Sequence, residues 1–326
     1  MTLKSNLLAD IVNQPSTLFP YSERYRKMRV GIHLSPNPDS FRPVIKGIAR
    51  FIRDEGTGSI TPLPHLSDTR HILNSGLDGL IALLSPEYAE EIPSLPLPVV
   101  NLYRHDQPPH FAELWTDYKD MTHQALDHLR QRGCWRVAII NTADRGQVYL
   151  NQKEENLREA VWEYGMEIVG CFKEDLKYLW PMEAHFQNLT DWLQTLPKPL
   201  GIVCTYDAQA IRALQCLRRL NVRVPGEVLL LSLSNDSILL ECSQPSITGV
   251  DFNYEGKGYR AAEILADLIA GRRQMPYREI LPIRGIIPRD STAFSAGDDA
   301  QLEKAIEAMR DWEYALPALD NIALRA

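Results

Sequence analysis

The chain has 326 residues, of which 44% are hydrophobic and 24% are charged, and this composition excludes both a disordered chain and a mini-protein. It carries 35 Lys and Arg residues against 42 Asp and Glu residues, a formal net charge of -7 at pH 7. That balance argues against a surface built mainly to bind phosphate backbones or anionic lipid.

Seven near-continuous apolar runs predict strands that are buried on both faces of a parallel sheet. In chain order they are MRVGIHL from Met28, DGLIALL from Asp78, LPVVNL from Leu97, WRVAIIN from Trp135, MEIVGCF from Met166, LGIVC from Leu200 and VLLLSL from Val228. The order of these runs, with helical segments between them, predicts an α/β fold.

The segments between the runs have helical periodicity. Ala261, Ile264, Leu265 and Leu268 follow the i, i+3, i+4, i+7 spacing that gives a helix one apolar face. Glycines follow several of these segments, where a left-handed helix C-cap favours glycine: they are Gly133, Gly165 and Gly271. There are more strands than one doubly wound domain of ~150 residues needs, so we expect two α/β lobes, each with helices on both faces of a parallel sheet.

The cysteines and the N-terminus indicate the cellular compartment of the protein. The five cysteines form no CxxC pair, so neither a disulfide framework nor a zinc knuckle is predicted; they are Cys134, Cys171, Cys204, Cys216 and Cys242. The first residues lack the apolar core of a signal peptide, and no apolar stretch approaches the ~20 residues of a membrane span. We expect a cytoplasmic protein.

The motifs of common enzymes are absent from the sequence. It contains no GxGxxG, GxxxxGK[ST], GxSxG or HExxH, so no catalytic residue, cofactor or metal is predicted. His123 and His128 lie five residues apart and would not share a helix face as a metal pair does. Adjacent acidic residues such as Glu154 and Glu155 are expected on a solvated helix face and are given no function.

Several longer strings resemble the effector domains of LacI/GalR-type regulators in order and spacing. They are RPVIKGIARFIRDEG, WTDYKDMTHQALDHLRQRGCWRVAII, TYDAQAIRALQCLRRLNVRVPGEVLLLSLSND, QPSITGVDFNYEGKGYRAAEILADLIAGR and IIPRDST. LTDWLQTLPKPLGIVCTYDAQA and SNDSILLECSQPSITGV are most similar to xylose-operon activators, in which such a domain precedes an AraC-type DNA-binding domain. The resemblance implies a type I periplasmic-binding-protein-like fold with a small ligand, often a sugar, in a cleft between two lobes. It also implies a homodimer in which lobe closure controls operator binding.

By this resemblance, lobe 1 comprises residues 28–133 plus 249–272 and lobe 2 comprises residues 134–248 plus 273–292. Residues 1–27 form an N-terminal extension, and residues 293–326 form a helical tail that resembles the start of an AraC-type domain.

The resemblance also carries over four ligand-binding positions, which here hold Asp117, Lys153, Asp207 and Ser234. A carboxylate accepts hydrogen bonds from neighbouring hydroxyls and a guanidinium fork donates to ring and hydroxyl oxygens, which together select a sugar. Asp117 and Asp207 match the family pattern, whereas Lys153 replaces an arginine and Ser234 an aspartate. These departures argue against ordinary pentose recognition unless Asn235 or Asp236 compensates.

The complete expected cleft has residues from both lobes: Asp39, Arg42, Ser85, Tyr103, Asp117, Tyr149, Lys153, Asp207, Ser234 and Asn235. Alone, each is as readily a helix cap or turn residue as a ligand contact. Replacing Asp207 by Ala is expected to weaken ligand binding by more than ~1 kcal/mol while leaving the fold intact.

Two other functions are compatible with the sequence. A solute-binding protein of a transporter uses the same fold outside the cytoplasm, which a processed, exported form would reveal. An enzyme on a flavodoxin-like scaffold, with Asp117 and Asp207 as acid and base, would not release its ligand unchanged.

The tail bears on DNA binding. A complete AraC-type reader needs two helix-turn-helix units, on the order of 100 residues, but only 34 residues follow Thr292. Their net charge is 3 - 7 = -4, because they contain three basic residues, Lys304, Arg310 and Arg325, and seven acidic ones. The tail resembles the first helix of such a domain and the start of the second, or else is a C-terminal helix packed on lobe 2. We expect the chain as given not to bind DNA specifically, although it derives from a regulator that does.

Overall fold

The structure is a computed structural model that describes residues 27–34, 38–56, 58–63, 72, 74–84, 95–104, 111–142, 148–174 and 183–293. The chain forms two compact units. Unit 1 comprises the described residues up to Trp115 together with Tyr254–Glu279, and unit 2 comprises Thr116–Asn253 and the described residues from Ile280 onward.

Strands and helices alternate along the described chain. In order they are β1 (Met28–His33), α1 (Pro38–Asp54), β2 (Gly58–Pro62), β3 (Gly79–Ala82), β4 (Val99–Asn101), β5 (Ala112–Thr116), α2 (Tyr118–Arg130), β6 (Arg136–Thr142), α3 (Val148–Glu163), β7 (Glu167–Glu174), α4 (Glu183–Thr195), β8 (Leu200–Cys204), α5 (Asp207–Arg219), β9 (Val228–Ser232), α6 (Ser237–Glu241), β10 (Gly249–Asp251), α7 (Tyr254–Ile269), β11 (Tyr277–Leu281) and β12 (Gly285–Ile287), followed by a 3-10 turn at Asp290–Thr292. Among the described helices there is no candidate for a membrane-spanning segment.

The described part of unit 1 is built on one sheet with the strand order β11-β5-β4-β3-β1-β2. Strands β1 to β5 pair in parallel, with Ile32 opposite both Ile81 and Pro62. Val30, Leu80 and Ile81 are fully buried. Burial on both faces explains why these strands read as continuous apolar runs rather than alternating ones.

Two helices of unit 1, α1 and α7, pack closely where each carries a glycine. A Cβ atom on Gly47 would lie 1.9 Å from the carbonyl oxygen of Glu255, and one on Gly258 would lie 1.9 Å from that of Val44. Each helix therefore places its glycine against the backbone of the other, an approach that a side chain at either position would prevent.

Unit 2 is built on a parallel sheet with the order β7-β6-β8-β9. Its core includes Ile140, Ile202, Cys204 and Leu230, all fully buried. Beside this sheet, β10 and β12 form an antiparallel pair. The loops that follow β8 and β9 emerge side by side, because the two strands are parallel neighbours.

The α/β prediction is confirmed, and each of the seven apolar runs contains a strand. The three predicted cap glycines, Gly133, Gly165 and Gly271, have positive φ values of 75°, 63° and 70°. Strands β2, β5, β10, β11 and β12 were not predicted.

The unit boundaries differ from those of the predicted lobes. Lobe 1 was expected to extend to Gly133, whereas unit 1 ends at Trp115 and α2 belongs to unit 2 because it packs against α3. The second segment of unit 1 is Tyr254–Glu279 rather than 249–272. It contains α7 and the first part of β11, which is the edge strand of the unit 1 sheet. The predicted extension at 1–27 and the predicted tail at 293–326 lie outside the described residues except for Lys27 and Ala293.

Candidate functional site

The carboxyl ends of β8 and β9 in unit 2 surround a buried lysine. Lys153 on α3 is 5% exposed, and its Nζ donates hydrogen bonds to the carbonyl oxygens of Leu233 at 2.8 Å and Thr205 at 3.2 Å. One carbonyl follows β9 and the other follows β8, so the ammonium joins two neighbouring loops. These bonds use two of its three N–H donors.

Two aromatic rings complete the surroundings of the Lys153 ammonium. Nζ lies 5.4 Å from the ring centre of Tyr206 and 5.1 Å from that of Phe252, distances at which a ring face attracts a cation. Burial lowers the pKa of Lys153 to about 8, and the negative charge of Asp207 opposes this shift. The lysine therefore stays mostly protonated at neutral pH.

Asp207, the first residue of α5, is the acidic counterpart of Lys153. Its Oδ1 accepts from the Ser232 hydroxyl at 2.6 Å, and its Oδ2 accepts from the backbone N–H of Asp236 at 2.7 Å. Burial raises the pKa of Asp207, while its hydrogen bonds and the positive charge of Lys153 act in the opposite direction. Both carboxylate oxygens thus hold the end of β9 and the loop after it.

The loop after β9 also contains the predicted residues Ser234 and Asn235, which are half-buried. The Ser234 hydroxyl is a further group that lowers the pKa of Asp207. The Oδ1 of Asn235 accepts from Arg289 Nη2 at 3.0 Å, and the same guanidinium donates to the Ile247 carbonyl at 2.7 Å. Ser234 is thus brought to the Lys153–Asp207 pair, whereas Asn235 is engaged by Arg289.

A second polar network lies beside this pair. The Oδ1 of Asn141, near the end of β6, accepts from the Thr205 hydroxyl at 2.8 Å, and its Nδ2 donates to Glu154. The Thr205 hydroxyl also lies 3.1 Å from the Oε1 of Gln209, whose Nε2 is buried without a hydrogen-bond partner among the described residues. These contacts fix the side chains behind the loop that carries Tyr206.

The expectation that Glu154 and Glu155 lie on a solvated face is wrong for Glu154. Glu154 is 7% exposed, and its carboxylate accepts two hydrogen bonds from the guanidinium of Arg158, at 2.7 and 2.9 Å, as well as the one from Asn141. Glu155 is exposed as expected. Neighbouring helix residues point in different directions, so one member of an acidic pair can be buried while the other is solvated.

The remaining predicted residues of unit 2 lie at helix starts. The Asp117 carboxylate accepts from the backbone N–H of Asp120 at 2.9 Å and caps α2. Tyr149 lies in the first turn of α3, and its side chain is outside the described residues.

Unit 1 contains the other four predicted residues. Arg42 is exposed on α1, and Tyr103 is half-buried after β4, where its carbonyl accepts from Asn101 Nδ2 at 3.0 Å. Asp39 lies in the first turn of α1, but its side chain is outside the described residues, as is all of Ser85. The loop after β4 also meets a buried lysine, since Lys257 Nζ donates to the Leu102 carbonyl at 3.1 Å.

Sequence reasoning missed several of these contacts. Phe252, Lys257 and Arg289 lie in strings that resemble the regulator family, but nothing in those strings marked them individually as contact residues. Tyr206 precedes Asp207 in the string TYDAQA, so its position was identifiable, but its role beside Lys153 depends on the approach of α3.

The side chains gathered at the unit 2 site are hydrogen-bond donors and acceptors. Within the described ranges, no group of three or more His, Cys, Asp and Glu side chains is arranged to hold a metal ion. The site offers a fixed carboxylate, a fixed ammonium, hydroxyls and an aromatic ring. Such groups match a small polar ligand with several hydroxyls.

Comparison with known protein families assigns the chain. The family described as "Periplasmic binding protein-like domain" matches residues 126–292, just over half of the chain. This chain belongs to that family. The match covers the whole Lys153–Asp207 site.

Two curated relatives carry the same name, "Xylose operon regulatory protein". The one from Escherichia coli (strain K12) is 28% identical over 245 residues, which are 72% of this chain and 61% of the relative. The one from Haemophilus influenzae (strain ATCC 51907) is 24% identical over 305 residues, which are 89% of this chain and 76% of the relative. The chain thus spans about three fifths of the length of the E. coli relative.

Solved structures show the same fold. The structure of the xylose-binding transcription activator xylR matches with a TM-score of 0.72 and 22% identity, covering 92% of this chain and 78% of that one. A complex of the transcriptional regulator CelR with cellobiose matches with a TM-score of 0.66 and 20% identity, covering 82% and 86%. At these identities the likeness concerns the fold.

Proposed function

We propose that this chain is the effector-binding sensor region of a transcriptional regulator and that its effector is a sugar or a related polyhydroxylated small molecule. The proposed partners are a second copy of the chain in a homodimer and a DNA operator bound through a further domain. The protein would act in the cytoplasm, where an operator is accessible. A ligand that favours one conformation of the sensor would shift the DNA-binding state of the regulator.

The buried pair of opposite charges at the carboxyl ends of β8 and β9 is the observation that carries the proposal. Ligands of open parallel sheets gather at this edge, and Lys153 and Asp207 are held there by backbone groups. Burying two charges costs free energy, and neutral hydrogen-bonding groups could hold the same loops without that cost. The charged pair therefore favours a role in ligand binding over a purely structural one. The names of the relatives, which are regulators of a xylose operon, support a sugar-like effector.

The residues present favour binding without transformation of the ligand. Both oxygens of Asp207 accept hydrogen bonds from protein groups, and Lys153 is held by two carbonyls, so each is poised to orient hydroxyls rather than to exchange protons. Lysine presents a point charge where an arginine would present a planar fork, so selectivity among sugars is expected to differ from that of an arginine-containing site.

The test is a thermal-unfolding screen with pentoses, hexoses, sugar acids and sugar phosphates. A ligand at about a hundred times its Kd stabilises the native state by roughly 2.7 kcal/mol and raises the melting temperature measurably. We expect at least one compound class to do so, and mass spectrometry should recover that compound unchanged. If no compound shifts the melting temperature, or if the bound compound is converted, the proposal fails.

A further inference from the structure

A guanidinium on unit 2 connects the loop after β9 to the 3-10 turn at Asp290–Thr292. Arg289 directly precedes this turn, and its side chain is 7% exposed. Its Nη2 donates to Oδ1 of Asn235 at 3.0 Å and to Oε1 of Glu241 at 3.1 Å, and its Nη1 donates to the Ile247 carbonyl at 2.7 Å. The guanidinium therefore contacts the chain before α6, at the end of α6 and after it.

The contact with Arg289 fixes the orientation of the Asn235 amide. A guanidinium carries only donors, so it pairs with the amide oxygen and leaves the two Nδ2–H donors for another partner. Nδ2 has no hydrogen-bond partner among the described residues, and Asn235 is half-buried. A Cβ atom on Gly249 would lie 3.0 Å from Oδ1, so the glycine leaves room for the amide beside the backbone. Asn235 can therefore donate to an acceptor oxygen of a ligand while Arg289 holds its other end.

The turn that follows Arg289 is fixed to the same part of the chain. The Asp290 carboxylate accepts from Ser246 Oγ at 2.7 Å. The hydroxyls of Thr248 and Thr292 are 2.6 Å apart, and Thr248 Oγ1 also accepts from the backbone N–H of Arg289 at 3.0 Å. These contacts flank the carbonyl that accepts from the guanidinium. The side chain of Arg289 and the turn are thus attached to one short stretch of backbone.

We propose that Arg289 is a positioning residue of the candidate ligand site and that it couples the loop after β9 to the turn at Asp290–Thr292. This role rests on the proposed function, which makes Asn235 and its loop part of the effector site. A ligand that shifts the loop changes the contact between Asn235 and Arg289. The change reaches the turn, because the guanidinium and the turn share one stretch of backbone. Coupling between two sites is reciprocal, so a change in the turn also alters the loop.

The loop after β9 is held from both sides of this connection. At the site, the backbone N–H of Asp236 donates to Asp207 at 2.7 Å, and toward the turn Asn235 accepts from Arg289. The turn lies between this loop and residues 293–326, which by resemblance begin a DNA-binding domain. An effector that alters the contacts of Asp207 therefore acts, through the loop and Arg289, on the turn that precedes those residues.

Two substitutions of Asn235 separate the contact with Arg289 from the general stability of the loop. Asn235→Asp keeps an oxygen that accepts from the guanidinium, whereas Asn235→Leu removes the acceptor at a similar volume. We would measure hydrogen exchange of the full chain by mass spectrometry without an added compound. Exchange at residues 290–293 should be about tenfold faster in Asn235→Leu, because a hydrogen bond to a charged group is lost. Asn235→Asp should behave as the parent, and so should the control Ser237→Ala, at an exposed position after the same loop.

A second background tests whether the effect passes through Arg289. In Arg289→Met the guanidinium is absent, so adding Asn235→Leu should change exchange at 290–293 by less than about twofold. Thr292→Val gives the reverse measurement in a chain that keeps Arg289, and it decides the case if Arg289→Met does not fold. Loss of the hydroxyl that contacts Thr248 loosens the turn, so exchange at 234–236 should rise.

Amides of α4 report whether unit 2 as a whole is destabilised, and they should exchange alike in all variants. The proposal is overturned if Asn235→Leu leaves exchange at 290–293 unchanged, if Asn235→Asp has the same effect as Asn235→Leu, or if the effect persists in Arg289→Met. Unchanged exchange at 234–236 in Thr292→Val, or an equal rise in α4, overturns it as well. Because no compound is added, these results are independent of the ligand screen: a failed screen removes the effector, and a failed exchange experiment removes only the role of Arg289.

Discussion

Lys153 and Asp207 form a buried pair of opposite charges in unit 2. Each is buried and charged, and each is stabilised by hydrogen bonds to loops at the carboxyl edge of the unit 2 sheet. Their charges offset one another, as the opposing influence of each on the pKa of the other indicates. Removing one partner would leave the other uncompensated in a poorly solvated place.

Asp207→Asn is therefore expected to lower stability as well as ligand affinity. The amide keeps one acceptor but presents a donor to either the Ser232 hydroxyl or the Asp236 N–H, and it no longer balances Lys153. We expect the free energy of unfolding at pH 7 to fall by about 1 to 3 kcal/mol in urea titrations. Asp191→Asn, an exposed carboxylate on α4, is the control and should remain within about 0.5 kcal/mol of the parent. Equal stability of the two variants would contradict the anchoring role.

Lys257 gives a prediction for pH dependence. Burial lowers its pKa to about 8, so above that pH the native state loses a proton that the unfolded state retains up to about pH 10.4. Stability contributed by this group therefore rises with pH across that window.

The variant Lys257→Met lacks this titration. From pH 8 to pH 10.4, the unfolding free energy of the parent should rise by up to roughly 3 kcal/mol relative to that of Lys257→Met. Comparing the two chains cancels the titration of all other groups. A difference that stays constant over this range would contradict the burial of the ammonium.

Among the elements, the long apolar strands buried on both faces could be predicted from sequence, whereas exposed strands, the three-residue strands β10 and β12 and the buried but partly polar β5 could not. β3 and β8 are apolar throughout because every residue is buried. In β2, GSITP, four of five residues are exposed, so no apolar pattern marks it. β10 and β12 have three residues each and depend on their antiparallel pairing rather than on their composition.

Candidate site residues were predictable only as positions after strands. Asp207 and Ser234 follow β8 and β9, and a parallel sheet brings such residues to one edge. Their partners were not predictable, because Lys153 and Glu154 reach the edge through the packing of α3. The same applies to α2, whose packing against α3 decides the unit to which it belongs.

The close packing of α1 and α7 predicts that a side chain at Gly47 destabilises unit 1. Gly47→Ala would place Cβ 1.9 Å from the Glu255 carbonyl oxygen, so the helices must separate, and we expect a loss of at least ~2 kcal/mol in unfolding free energy. The control Gly133→Ala has nothing within 4 Å but a φ of 75°, so it should cost only about 1 kcal/mol through backbone strain. Denaturant unfolding measures both. A Gly47→Ala chain as stable as the control would show that the helices are less closely packed.

The whole molecule combines the fold of its family with a candidate ligand site on unit 2. The family and the α/β architecture follow from the match over residues 126–292 and from the parallel sheets. The regulator function is our proposal, since many binding and catalytic functions use similar folds and the site decides among them. It depends on the Lys153–Asp207 pair binding a polyhydroxylated ligand.

Isothermal titration calorimetry with a ligand identified by the unfolding screen tests this dependence most directly. The parent chain and Asp191→Asn should bind with the same affinity, and Asp207→Asn, at a temperature where circular dichroism shows it folded, should lose more than ~1 kcal/mol of binding free energy. Asp207→Asn binding as tightly as the parent would contradict the account and would leave Asp207 as an anchor of the β9 loop alone.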